Sequence, residues 1–225
     1  MDSRRTVAIH WPGKTINAYG LCIYSMEKKK FLLIQRKHSI SLLNILRDNY
    51  RKSELKHLIE NMTKEEVKMC VEAINNKKIE SLVKGVLGNE HIKYDYSSFS
   101  SLLPYFIAAS EEEKSKEENE WSFPKGRVEK EENSLQCALR EVEEETGIKG
   151  ENLFLHAHSI KLVSKHDVYT YELFIYPAIL FKDVSFELKD NIEVNKIEWF
   201  TKEEVEKKIK NFDQVYEVYK DNGVL

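Results

Sequence analysis

Apolar and polar positions change their period along this chain. Residues 18–25 (AYGLCIYS) and 31–36 (FLLIQR) are short β-prone runs around the charged turn Met26-Glu27-Lys28-Lys29-Lys30, which predicts a hairpin. From Ile40 to Leu87 the apolar steps become three and four residues, through Leu42, Leu43, Leu46, Tyr50, Leu55, Leu58 and Ile59, and predict helices. Thr63 with Glu66 three places later is a capping box that opens one of them, with Val67, Cys70, Val71 and Ile74 as its apolar face. Gly85 and Gly88 are expected to end the helical stretch. Residues 110–120 (SEEEKSKEENE) read as a solvated linker or exposed helix end. Strand-like segments return in NLFLHAHSIKLVS, VYTYELFIYPAILF and KIEWF, followed by short helices near 201–210 and 212–220. The expectation is an α+β fold interrupted by a helical insertion.

Composition narrows the class. The 225 residues are 41% hydrophobic and 32% charged, too apolar for a disordered chain and long enough for a full core. Cys22, Cys70 and Cys137 form no CxxC pair, so neither a zinc site nor a disulfide framework is expected. No apolar run approaches the roughly 18 residues of a membrane span, and MDSRRTVAIHWPGK lacks a signal-peptide core. A cytoplasmic protein with no membrane partner is the expectation. The net charge of −3 hides an asymmetry: residues 36–93 hold 12 Lys/Arg against 8 Asp/Glu, whereas 111–151 hold 7 against 14. A basic part beside an acidic part suggests two jobs, although solvated helical faces would look the same.

The acidic part carries the chemistry. Helix signals start at Asn133 and Ser134 and stop at Gly147, with Leu135, Ala138, Leu139 and Val142 as one apolar stripe. At about 100° per residue, Glu141, Glu144 and Glu145 share another face. Carboxylates at these spacings repel and weaken a helix. A hard divalent cation with oxygen ligands would neutralise them.

The stretch Gly126–Ile148, GRVEKEENSLQCALREVEEETGI, resembles the Nudix box. Gly126, Glu132, Arg140, Glu141, Val142, Glu144, Glu145, Gly147 and Ile148 fill every fixed position. The resemblance implies a mixed sheet between helices and hydrolysis of a nucleoside diphosphate linked to another moiety. It implies that Glu141, Glu144, Glu145 and the Gly126 carbonyl bind Mg2+ or Mn2+, with Glu144 and Glu145 catalytic. Glu132 and Arg140 match the salt bridge that ties loop to helix, with a metal as the alternative partner of Glu132. Trp121-Ser122-Phe123-Pro124-Lys125-Gly126 is similar to the lead-in of mRNA-decapping and diphosphoinositol-polyphosphate Nudix enzymes, which puts Lys125 against substrate phosphates. Residues 193–200 (EVNKIEWF) resemble the second box of decapping enzymes, where Glu193 aligns best with the general base and Glu198 is the competitor.

The insertion resembles that of the decapping enzymes of large DNA viruses, of the African swine fever virus and giant-virus type. On that reading 1–38 and 111–225 form the Nudix catalytic domain and 39–110 a helical RNA-binding domain. Capped mRNA is the expected partner, with no DNA, in the host cytoplasm. Arg36, Lys37, Arg47, Arg51, Lys52, Lys56, Lys64 and Lys68 are candidates for a phosphate-tracking groove. Trp121, Trp199, Tyr50 and Tyr171 are candidates for stacking a methylated, cationic guanine, though each would serve equally as a core residue. Three readings follow: a decapping pyrophosphatase, a hydrolase of diphosphoinositol or dinucleoside polyphosphates, and a silent RNA- or nucleotide-binding module. The intact set of three glutamates argues against the last, and the basic insertion favours the first.

Overall fold

The structure, a computed structural model, describes residues 14–88, 95–111, 115–165, 169–182, 184, 186 and 193–225. The chain divides into two compact units, Met1–Gln35 with Trp121–Leu225, and Arg36–Glu120.

The first unit is built on one mixed sheet of eight strands among the described residues. They are β1 (Lys14–Ser25), β2 (Lys30–Arg36), β3 (Trp121–Ser122), β4 (Lys125–Gly126), β5 (Leu153–Leu155), β6 (Ile160–Lys165), β7 (Tyr169–Leu180) and β8 (Val194–Phe200). The predicted hairpin forms as β1 and β2, with Tyr24 opposite Phe31 and Lys29 turning the chain at φ 56°. The spine is the parallel pair β1 and β7, in register from Lys14–Tyr169 to Ser25–Leu180. β5 and β6 pair antiparallel with successive parts of β7, β3 and β8 extend β2, and β4 pairs with β1.

The second unit is helical: α1 (Ile40–Leu46), α2 (Leu55–Glu60), α3 (Lys64–Asn75), α4 (Ile79–Leu87), α5 (Tyr96–Ser100) and α6 (Leu103–Glu111). It has its own core, centred on Leu42, Leu46, Ile59, Met62, Cys70 and Phe106. The capping box at α3 is present: Thr63 Oγ1 accepts from Glu66 N–H, and Glu66 accepts from Thr63 N–H at 3.0 Å. Glu66 is buried and also accepts from Ser39 N–H at 2.6 Å, so one carboxylate ties the first residues of the unit to α3. Two expectations differ. Gly85 lies inside α4, and Gly88 with φ 65° ends it. The stretch read as a solvated linker is partly pinned: Lys116 N–H donates to Met62 O at 2.9 Å, and Lys64 N–H donates to Lys116 O at 3.1 Å. Residues 112–114 of that stretch lie outside the described residues.

Side chains alternate across the sheet, so each strand feeds two cores. Leu21, Ile23 and Leu32 meet α7 (Ser134–Thr146), while Cys22, Phe31 and Leu33 meet α8 (Lys202–Lys208) and α9 (Phe212–Asp221). The result is the expected α+β class, a mixed sheet between helices. All three cysteines are free and buried, as small apolar fillers would be, and burial pushes the Cys22 and Cys137 thiols up to about 12. No helix among the described residues is long and apolar enough to cross a membrane.

One contact explains how Pro177 is accommodated in the middle of β7. Its carbonyl accepts from His156 N–H at 2.9 Å, so its nitrogen also points away from β1 and no β1–β7 hydrogen bond is lost. At the next residue the buried Tyr219 hydroxyl stands between the two strands. It donates to Cys22 O and accepts from Ala178 N–H at 3.1 Å. Tyr219→Phe leaves both strand groups without that partner. The expected cost is about 1–3 kcal/mol, read as a lower urea midpoint at unchanged slope. An unshifted midpoint would show that the hydroxyl contributes nothing to holding the spine.

Candidate active site

Helix α7 and the turn before it assemble the acidic residues. Asn133 caps the helix by accepting from Leu135 and Gln136 N–H groups, and Gln136 returns a bond to Asn133 N–H at 2.8 Å. Gly147, at φ 76°, closes the other end in the left-handed region that a glycine adopts without strain. Cys137, Ala138 and Val142 are fully buried against the sheet, which fixes the rotation of the helix and turns Glu141 and Glu144 away from that core.

Arg140 organises the carboxylates. Its Nε and Nη2 grip Glu132 at 3.0 and 2.8 Å, a bidentate pair. Its Nη1 donates to Glu141 at 2.8 Å and Glu144 at 2.9 Å, and Nη2 also donates to Arg127 O at 3.0 Å. The Arg140 guanidinium, helped by a bond from Glu129 N–H, holds the Glu132 carboxyl down at about 2. Glu132 and Arg140 thus stand as a loop-to-helix tie.

Glu141 closes against Gly126. A Cβ on Gly126 would lie 2.0 Å from its carboxyl, so a larger residue there would push the Glu141 carboxylate aside. Burial raises the Glu141 pKa; Arg140 opposes that, and repulsion from Glu144 and Glu193 adds to it. Glu193 stands just before β8. Glu198 lies between Ile197 and Trp199, which pack on the α7 side, so its side chain points to the opposite face. Glu145 is 6% exposed, and its Oε2 accepts from Lys125 N–H at 2.9 Å. Lys125 and Gly126 form β4 and pair with Gly20 and Tyr19.

The donors suit a hard cation in kind: carboxylate oxygens and a backbone carbonyl, with burial disfavouring the Glu141 anion despite Arg140. As they stand, no three such side chains among the described residues lie close enough together to enclose an ion, and Glu141 and Glu144 are both turned to Arg140.

The remaining candidates fall in different surroundings. Trp121 is 9% exposed and packs edge-on against Phe200 at 4.7 Å, with Lys208 5.2 Å from its ring. Trp199 lies 5.7 Å from Phe186, Tyr50 packs against the helical core, and Tyr171 is half-buried on β7 opposite Ile16. Lys37, Arg47, Arg51, Lys52, Lys56, Lys64 and Lys68 are exposed, and Arg36 is half-buried with its Nε out of solvent. Lys64 pairs with Glu117 at 2.6 Å and Lys68 with Glu72 at 3.9 Å. Sequence spacing did not single out Tyr19, which the strand register sets beside Gly126, or Gln35, whose Oε1 accepts from Asn195 at 3.1 Å. Only strand pairing reveals either.

Comparison with known proteins places this geometry. The chain is 37% identical over 79 residues to mRNA decapping complex subunit 2 of Schizosaccharomyces pombe, which covers 35% of this chain and 10% of that protein. It is 36% identical over 100 residues to a protein of Acanthamoeba polyphaga mimivirus provisionally named for mRNA decapping, covering 41% of this chain and 28% of that one. The matched stretch is thus a small part of these relatives' length. Among solved structures, a Caenorhabditis elegans Ap4A hydrolase binary complex aligns over 93% of this chain and 96% of its own, at 17% identity and a TM-score of 0.49. The NUDIX domain family model matches residues 106–221, taking in the Gly126 turn, the whole of α7 and the strands behind it, and the chain belongs to the Nudix family.

Proposed function

We propose that this chain is a metal-dependent mRNA-decapping pyrophosphatase that hydrolyses the 5′ cap to m7GDP and 5′-monophosphate RNA. The observation that carries the reading is the crowding at Glu141. It is closed against Gly126 and repelled by both Glu144 and Glu193, which favours a cation there, and a cation in turn would attract a diphosphate. The relatives named for decapping supply the substrate class.

Glu141, Glu144, Glu145 and the Gly126 carbonyl would hold Mg2+ or Mn2+, which when bound offsets diphosphate charge and eases deprotonation of water. Freeing Glu141 and Glu144 requires Arg140 to release them while keeping Glu132, and its bidentate grip on Glu132 allows that. Lys125 lies next to Gly126 on a strand held by Glu145, and would set its charge against the phosphates. Water attacks a phosphorus of the cap triphosphate, the bond to the RNA-side phosphate oxygen breaks, and Glu193 takes the proton of the attacking water. Residues 39–110 would serve as the RNA-binding unit, because their cations stand exposed on a separate core. Incubation with cap-labelled RNA, free cap analogue and a diphosphoinositol polyphosphate tests the substrate. Release of m7GDP from long RNA supports the reading, and preference for the inositol substrate would replace it.

Three further outcomes are expected. Glu145→Gln keeps the size of the buried side chain, so the melting temperature should hold while turnover falls by about a hundredfold or more. Substantial activity in Glu145→Gln would remove it from the ligand set. Glu193→Gln should cost about 10²–10⁴ in rate and flatten the acid limb of the pH–rate profile, with metal affinity preserved. Glu198→Gln should cost little, and the reverse result would reassign the base. RNA affinity should fall with salt by about 0.7 log units per contacted phosphate for each tenfold rise. Replacing Arg47, Arg51, Lys52 and Lys56 together by Glu should flatten that slope and slow decapping of long RNA far more than hydrolysis of a small diphosphate. An unchanged slope would mean the insertion is not the RNA platform.

A further inference from the structure

One row of the sheet runs out from under its helices. Phe31 on β2, Tyr24 on β1, Ile179 on β7 and Phe154 on β5 stand side by side in register. Helix α9 covers the first two with Phe212, Tyr216 and Tyr219, and both are buried. Ile179 is half-buried, and Phe154 at the end of the row is 63% exposed. Leu153 and Leu155 beside it pack under α7, so the Phe154 ring belongs to the α9 face of the sheet. Phe181, just past β7, is 56% exposed and meets Phe154 edge-on, with centroids 6.4 Å apart and planes at 71°. That contact occupies one face of one ring, and more than half of each residue remains in water.

Cations gather at the same end of the sheet. The next row along holds Lys30, Ser25, Leu180 and Leu153. Ser25, fully buried, shapes the turn between β1 and β2: its Oγ accepts from Lys28 N–H at 3.0 Å and its carbonyl from Lys29 N–H at 2.9 Å. Met26 N–H donates to Leu180 O at 2.9 Å, which sets the turn beside Phe181. Lys28, Lys29 and Lys182 are exposed and Lys30 is half-buried, with Glu27 as the acidic residue of the turn. From Lys30 to Leu153 is three strand spacings of about 4.8 Å, roughly 14 Å. Positive charge and two open rings thus share one short edge of the Nudix unit.

We propose that this edge holds single-stranded RNA of the substrate, with its phosphates at Lys28, Lys29 and Lys182 and its bases against Phe154 and Phe181. The assignment rests on the reading that the substrate is capped RNA, and adds a contact on the Nudix unit to those of residues 39–110. Single strands are gripped by this combination, since cations hold the backbone of any sequence and every base has a π face to lay on a ring. A duplex could use the lysines but not the rings, because its bases are already stacked on one another. A second copy of the chain is disfavoured, because a two-fold contact would set these lysines against their own images.

The test measures binding of an uncapped single-stranded RNA, and of the same RNA paired to its complement, to the full chain over a range of salt. Phe154→Ala with Phe181→Ala should weaken the single strand by about tenfold and change the duplex by less than about twofold. Replacing Lys28, Lys29 and Lys182 together by Gln should lower the single-strand salt slope by about 2 log units per tenfold rise, the amount for three phosphates. These lysines are exposed, so that variant keeps the test open if the ring variant fails to fold. Equal losses of single strand and duplex in the ring variant would overturn the proposal, as would an unchanged slope in the lysine variant. So would binding of phosphatidylserine vesicles or of an acidic peptide that both variants abolish while RNA affinity holds. The RNA carries no cap, so failure of the decapping reading is read separately, as no release of m7GDP from capped RNA by the unaltered chain.

Discussion

Negative charge at the end of α7 is the constraint to which the rest of the site answers. Glu141, Glu143, Glu144 and Glu145 crowd the last two turns, where the helix dipole already disfavours anions and each carboxylate repels the next. The helix persists because other groups absorb that charge. Arg140, carried by the same helix, takes Glu141 and Glu144 on one nitrogen and Glu132 on the others. The grip on Glu132 and on Arg127 O then dictates the course of the loop from Gly126 to Asn133. Glu145 is satisfied differently, by the Lys125 N–H, so the strand before the loop is also positioned by a carboxylate of the helix. Glu141 differs again, since burial disfavours its charged form despite Arg140.

The turn could not approach so closely with ordinary residues. Gly20 and Gly126 lie on neighbouring strands, one residue apart in register. A Cβ on Gly20 would come within 2.3 Å of Pro124 O, and one on Gly126 within 2.0 Å of the Glu141 carboxyl. Leu21 N–H reaches Pro124 O at 3.2 Å across the first gap. A two-residue strand is thereby held firmly enough to carry Lys125 and the Gly126 carbonyl, with the helix packed over it.

Much of this was readable from spacing because the decisive signals are local. The capping boxes at Thr63–Glu66 and Asn133–Gln136 and the left-handed Gly147 act within a few turns of chain, whereas the tie of Glu132 to Arg140 was implied by the Nudix resemblance. Another box, at Thr201–Glu204, opens α8 as the short helical pattern there implied. Signals that failed were those needing distant partners. Residues 103–111 (LPYFIAASE) are apolar on nearly every side, so no stripe marked the helix they form. Trp121 offered itself as a stacking residue, yet Phe200, far along the chain, encloses it in the core. Tyr19 and Phe174 carried no motif, and the parallel register of β1 and β7 alone sets them side by side.

The insertion follows a different logic from the sheet that carries it. Its chain leaves at Arg36 and returns at Glu120, where Arg36 N–H meets Glu120 O at 3.4 Å, so its two ends adjoin. Closing a long segment onto such a neck costs an entropy that grows only with the logarithm of its length, a cost that a segment with its own core offsets. Glu66 strengthens the neck from inside, since its buried carboxylate joins Ser39 to the start of α3. Cations on the outer surface of that unit therefore contribute little to either core. Their number and placement are not fixed by packing, whereas in the Gly126 turn Glu132 is held in place by Arg140.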